Sequence, residues 1–392
     1  MHTNTFARIN LDYASMTPIL PEVREAMMAA WDEGGNPSAI HHSGREARKR
    51  LEQVRAQVAA LINAKPEEIY FTSCGTESNN WALRGLMNAH RGKGRHLIIS
   101  AIEHPSIGLS ARRLEQEGIS VTILKVDTEG VVSPAALKAV LRSDTSLVSI
   151  MLANGEVGTI EPIRELAAIA HEQGALFHTD AVAAVGSIPI DVKGLGVDVL
   201  SLAANTFYGP QGAAALYLRE GVRILPLLEG GGQESGNRSG TEALPALIGM
   251  GKAAQMAREE IPQRVQHLSR LRDRLREGLK ARIESLRFNG SWSSRLPHNL
   301  HCCVEGLSSE SLVLGLDQAG IAPGLGSACN SKAMRPSAVL KAMGFSEEQA
   351  KGALVLTVGV LTTEEEIDRA VTIIPEVVEK LRRVVRVTIR VS

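Results

Sequence analysis

The stretch H96-L-I-I-S-A-I-E-H-P-S-I-G-L-S-A-R-R-L-E-Q-E-G-I-S-V-T-I-L-K125 decides the fold. It opens on a run that is apolar nearly throughout, His96–Ser100, passes through a helical pattern from Ser106 to Glu117, and closes on a second β-branched run, Ile119–Lys125. A strand without polar alternation is covered on both faces, as in a parallel sheet carrying helices on either side. The alternation repeats outward from this unit. Candidate strands lie at Ile69–Thr72, Leu147–Leu152, Leu176–Asp180, Val197–Leu202 and Ala213–Leu218, with helical patterns at Glu77–Arg91, Pro134–Leu141 and Ile163–Gln173. The expectation is an α/β fold with a mainly parallel sheet joined by right-handed crossovers.

After Gly251 the pattern changes. Ile261, Val265, Leu268, Leu271, Leu275, Leu279, Ile283 and Leu286 recur at three- and four-residue spacing, an amphipathic helix leading into a second region. Pro262 either kinks that helix or starts a fresh one. Beyond it, short strands at Leu300–Val304 and Leu354–Val358 mix with helices at Ser309–Ala319, Pro336–Met343 and Glu364–Arg382, which predicts a smaller α+β domain.

Composition removes several function classes. The 392 residues carry 43 Lys plus Arg against 43 Asp plus Glu, so there is no basic excess to draw nucleic acid or an anionic membrane. At 44% hydrophobic and 22% charged residues the chain has an ordinary globular composition, and 3% aromatic residues offer little for stacking bases. Four cysteines without a C-x-x-C pattern are too few for a disulfide framework or a structural zinc site, which favours a reducing compartment. No apolar run reaches the roughly 18 residues of a membrane span, and the first residues lack a signal-type apolar core. These features predict a cytoplasmic location.

Four segments carry candidate chemistry. In T72-S-C-G-T-E-S-N79, small residues between a strand end and a helix start (Cys74, Gly75, Thr76) suit a phosphate, although the same residues also make an ordinary N-cap. Asp180 ends a strand at the carboxyl edge, where open α/β sheets bind ligands; it suits a protonated heterocyclic nitrogen or an N-cap. His104, in E103-H-P, ends another strand, where an imidazole can stack on a flat ligand or serve as a satisfied polar residue. Cys329, in G324-L-G-S-A-C-N-S331, is a thiol in a polar Gly/Ser segment and a candidate nucleophile. Cys302 and Cys303 follow each other on a strand and so point to opposite faces, which disfavours a vicinal disulfide or a shared metal.

Taken in order, the segments resemble the cysteine desulfurases of the fold-type I, class V aminotransferase group. The likeness rests on L11-D-Y-A-S-M-T-P18, N36-P-S-A-I-H41, T72-S-C-G-T-E-S78, E103-H-P-S106, N154-G-E-V-G158, H178-T-D-A181, Y208-G-P-Q-G212, R238-S-G-T241, G326-S-A-C329 and T362-T-E-E-E-I-D368. It implies a seven-stranded large domain over residues 14–258 and a small domain made of residues 1–13 and 259–392. It also implies a homodimer with the pocket at its interface, and sulfur release from L-cysteine through pyridoxal phosphate and a loop persulfide. Cys74, Gly75, Thr76, His104, Asn154, Asp180, Thr206 and Thr241 fall at cofactor positions, and Cys329 at the persulfide position.

The resemblance departs at the chemistry. Where relatives carry S-G-H-K before Y-G-P, the lysine bearing the cofactor, this chain reads A203-A-N-T206. A hydroxyl at Thr206 cannot form an imine with an aldehyde. Ala183 replaces a glutamine that holds the pyridoxal hydroxyl, and Val355 replaces the arginine that clamps the substrate carboxylate. Three functions remain open. One is a sulfur-transfer or cluster-assembly protein without covalent pyridoxal phosphate, using Cys329 as persulfide carrier, or as ligand to an iron–sulfur cluster with Cys74 as a second ligand. Another is an enzyme holding pyridoxal phosphate non-covalently. The third is a non-catalytic scaffold or regulatory subunit. The expected partners are a second copy and a sulfur-acceptor or scaffold protein, with no membrane and no direct nucleic-acid binding.

Overall fold

A computed structural model describes residues 8–325 and 337–391, without the side chains of Glu33 and of residues 386–391. In chain order the strands are β1 (Ile9–Leu11), β2 (Ile69–Thr72), β3 (His96–Ser100), β4 (Ser120–Leu124), β5 (Thr145–Ser149), β6 (Leu176–Asp180), β7 (Val199–Ala203), β8 (Ala214–Leu218), β9 (Leu286–Asn289), β10 (Asn299–Val304), β11 (Ile321–Pro323) and β12 (Ala353–Thr357). The helices are α1 (Pro21–Glu33), α2 (His42–Leu61), α3 (Gly75–Ala89), α4 (Pro105–Gln116), α5 (Pro134–Val140), α6 (Ile163–Glu172), α7 (Val192–Leu195), α8 (Leu244–Lys280), α9 (Ser309–Gln318), α10 (Ala338–Ala342), α11 (Glu347–Ala350) and α12 (Glu364–Val391).

The central sheet has seven strands in the order β2-β8-β7-β6-β5-β3-β4. All neighbours are parallel except β8, which runs antiparallel between β2 and β7. Its two faces have separate cores: on β3, Ile98 packs into one cluster while Leu97 and Ile99 pack into the other. Burial on both faces is why β3 is written as an almost unbroken apolar run. The apolar run that predicts a strand to Leu152 leaves β5 at Ser149, yet Ile150 N and Leu152 N still donate to His178 O and Asp180 O of β6.

Helix α8 differs from its sequence reading at both ends. It begins at Leu244, before Gly251, and runs unbroken through Pro262. Leu286, which continues the three-residue spacing from Ile283, belongs instead to β9; Ser285 takes a left-handed φ of 54° and turns the chain out of the helical path. Ile261 closes the core of the large sheet, whereas Leu268, Leu271, Leu275 and Leu279 line a second core with β10, β12, α9 and α12. Strands β9, β10 and β12 form a three-stranded antiparallel sheet, and β1 pairs in parallel with β11.

No helix among the described residues is long and apolar enough to cross a membrane.

Candidate functional site

Because β2, β3, β6 and β7 share one direction, their carboxyl ends meet at one edge of the sheet. That edge gathers Thr72 with the Cys74–Thr76 turn, Ser100 with His104, Asp180, and Ala203 with Thr206. The four strand-end candidates therefore converge, as the sheet-edge rule requires.

Asp180 is 6% exposed. Its Oδ1 accepts from Val182 N at 2.9 Å and its Oδ2 from Asn79 Nδ2 at 2.6 Å. Burial pushes the carboxyl above its ordinary value, against those two hydrogen bonds, which favour the charged form. Asn79 Nδ2 also donates to Ser106 Oγ at 2.9 Å, and Ser106 Oγ lies 2.7 Å from His104 Nδ1. His104 is the N-cap of α4, its Nδ1 accepting from Ser106 N at 3.2 Å, while the rest of the ring is exposed. Asn79 and Ser106 were quoted within the sequence motifs without a role, yet they carry every link between Asp180 and His104.

Helix α3 starts at Gly75, and its N-cap, Cys74, supplies no side-chain hydrogen bond to the first turn. Cys74 is exposed, with Ser73 Oγ 3.7 Å from its Sγ. A Cβ at Gly75 would fall 2.7 Å from Val182 Cγ2, so only glycine lets the turn press against the loop that follows Asp180. Thr76 contributes its carbonyl to Asn80 Nδ2. Arg238 closes over this helix end, its Nε donating to Glu77 Oε1 at 2.8 Å and its Nη2 to Glu77 Oε2 at 3.2 Å. Thr241, three residues further on, is exposed.

Thr206 ends a 3₁₀ turn after β7, and its Oγ1 donates to Ala203 O at 3.0 Å. The turn is pinned by the amino-terminal motif: Thr17 N and Oγ1 both donate to Asn205 O, and Tyr208 N donates to Thr17 Oγ1 at 2.7 Å. No lysine occurs between Lys193 and Lys252. Asn154 has its amide spent within the chain, Nδ2 donating to Ile102 O of the loop after β3 while Oδ1 accepts from Glu156 N and Val157 N of its own turn. Its role here is to shape the turn beside the pocket.

Cys329, and with it the persulfide and cluster-ligand assignment, lies outside the described residues. The segment leading to it departs from Gly324, whose backbone exchanges two hydrogen bonds with that of buried Val355. Among the described residues no group of three or more His, Cys, Asp or Glu is arranged to hold a metal ion. Cys302 and Cys303 are both buried and face different cores. Burial pushes both thiols up, Cys303 to about 11, as expected of core cysteines.

The family description Aminotransferase class-V matches residues 9–370. Cysteine desulfurase IscS of Dictyoglomus turgidum is 46% identical over 377 residues, covering 96% of both chains. Cysteine desulfurase IscS of Methanosarcina thermophila is also 46% identical, over 95% of this chain and 93% of its own. A solved structure titled NifS-like protein superposes with a TM-score of 0.90 at 34% identity, covering 95% of this chain and all of that one. With the seven-stranded sheet and the strand-end residues already in place, this chain belongs to the class-V aminotransferase family, among the cysteine desulfurases.

Proposed function

We propose that this chain is a cysteine desulfurase-like sulfur-transfer protein that works without a lysine-tethered pyridoxal phosphate. Thr206 carries the reading: the position that bears the cofactor amine in the resembling family holds a hydroxyl donated to Ala203 O. The family implies pyridoxal phosphate, and the donor set fits a tethered form poorly. There is no primary amine in the turn, Val355 is apolar where a carboxylate clamp would stand, and both Asp180 oxygens already accept from Asn79 and Val182. In this reading Cys329 is the sulfur carrier. Its thiolate attacks the outer sulfur of a persulfide donor, the donor's S–S bond breaks, and the donor leaves as a thiolate with no net oxidation. The protein acts as a homodimer in the cytoplasm and passes its sulfur to an acceptor or cluster-scaffold protein.

A second reading, an enzyme holding the cofactor non-covalently, draws on buried Asp180, which meets no fixed cation among the described residues, and on the start of α3, whose N-cap side chain makes no capping bond. The test is oxygen-free protein treated separately with polysulfide and with L-cysteine plus pyridoxal phosphate. The expected result is one added sulfur on the Cys329 peptide from polysulfide, lost in Cys329→Ser, with no borohydride-fixed cofactor. Sulfide release from L-cysteine that depends on the added cofactor would replace this reading with the second one. Full sulfur delivery by Cys329→Ser would leave a scaffold role.

A further inference from the structure

The geometry points to Asn79 and Ser106 as positioning residues that hold His104 Nδ1 as a hydrogen-bond acceptor and leave the ring N–H on Nε2. The direction of each hydrogen bond follows from the end of the chain that has no freedom. A carboxylate can only accept, so the group 2.6 Å from Asp180 Oδ2 is the Asn79 amide nitrogen. The second hydrogen of that nitrogen points at Ser106 Oγ, 2.9 Å away, which makes the hydroxyl oxygen an acceptor there. The Ser106 hydroxyl hydrogen is then free to be donated, and His104 Nδ1 lies 2.7 Å off. The backbone N–H of Ser106, which has no choice of role, donates to the same nitrogen at 3.2 Å. Nδ1 therefore receives two donors and carries no proton. A ring whose Nδ1 accepts carries its N–H on Nε2, which has no hydrogen-bond partner among the described residues.

The consequence concerns the ligand. The edge of the sheet offers an N–H from His104 near a carboxylate that already accepts one hydrogen bond on each oxygen, from Asn79 and Val182. A site of that kind takes a ligand with an acceptor atom, and with the sulfur-transfer reading, on which this step rests, the atom is an anionic sulfur: thiolate, hydrosulfide or persulfide. Asn79 and Ser106 touch no ligand in this scheme; they act through His104.

Nitrogen-15 histidine spectra of the full-length protein read the tautomer directly, the His104 signals being identified by their loss in His104→Gln. The expected wild-type ring has an unprotonated Nδ1 and a protonated Nε2 as a single tautomer. Ser106→Ala removes the closer donor to Nδ1, and Asn79→Ala leaves the serine hydroxyl free to turn away; both should admit an Nδ1-protonated population, whereas Ser106→Thr should restore the wild-type pattern. Should Asn79→Ala fail to fold, the serine pair carries the test alone. A wild-type ring protonated on Nδ1, or a Ser106→Ala spectrum unchanged from wild type, overturns the assignment. Sodium sulfide is the probe for the ligand: a shift confined to the Nε2 signals supports an anionic sulfur there. An Nε2-protonated ring that ignores sulfide overturns the sulfur ligand while the positioning role stands.

Discussion

Two buried aspartates on neighbouring strands of the same sheet have opposite electrostatics. Asp198, which immediately precedes β7, is fully buried; its Oδ2 accepts from Phe177 N at 2.7 Å and His171 Nε2 at 2.8 Å, and its Oδ1 from Arg219 Nε at 2.8 Å. Burial pushes this carboxyl up, but His171, the Phe177 amide and Arg219 outweigh that and hold it below its ordinary value. Asp180, at the end of β6, is buried almost as deeply, and among the described residues no arginine or lysine is bonded to it. Burial prevails there and the carboxyl is pushed up. One edge of the sheet neutralises its charge within the chain. The other leaves a buried carboxyl with no fixed cation among the described residues, which is the condition of a binding edge rather than a structural one.

The comparison breaks first at Asp198. Replacing it with alanine strips the acceptor from a buried amide and from two side-chain donors, and should cost about 3 kcal/mol of unfolding free energy. Urea denaturation checks this, and a loss below about 1 kcal/mol would mean the ion pair is not structural. The next effect sharpens the contrast at a third acid. Glu156 is pushed up to about 8 by burial, with only Ser337 bonded against that shift. Its folded value lies above its unfolded one, so the folded protein binds the extra proton. That contribution to stability is present below about 4.5 and is lost as pH rises toward 8. The slope in that window is about 1.4 kcal/mol per pH unit for such a group, and Glu156→Gln should remove it. A glutamine variant with the wild-type pH profile would place the titration elsewhere, Glu103 and Glu161 being buried acids pushed up in the same direction.

The large sheet was legible because burial on both faces leaves β3 an almost contiguous apolar run, Leu97, Ile98 and Ile99 between His96 and Ser100. The β9 strand was not legible, since Leu286 happens to sit three residues after Ile283 and so continues the helical spacing until Ser285 turns the chain. The same distinction holds at the site. Asp180, His104 and Cys74 stand directly after strands, where sequence order alone places them at the carboxyl edge. Asn79 and Ser106 act through hydrogen bonds that span 101 and 27 residues of chain, and such partners become neighbours only once the sheet has formed. For Asn154 the motif implies a cofactor position, but not that its Nδ2 reaches Ile102 O in the loop after β3 and its Oδ1 holds Glu156 N and Val157 N.

The smallest effect is also the most diagnostic, because its sign is opposite to that at Asp198. Asp180→Asn keeps the shape of the side chain and removes a buried charge that no fixed cation among the described residues answers, so stability should stay level or rise by about 1 kcal/mol at pH 8. The sign follows from linkage. A carboxyl pushed up contributes to stability at low pH and loses that contribution as pH rises through its folded value, whereas an amide has nothing to lose. The gain should therefore be absent near pH 4 and grow toward pH 8. Asn79 limits it, since its Nδ2 now faces either an amide oxygen, which accepts as before, or an amide nitrogen, which does not. Thermal unfolding of the variant at the two pH values decides the matter. A clear loss at pH 8 would mean that the Asp180 charge is answered inside the chain after all, and the edge that looks like a binding site would then be as structural as Asp198.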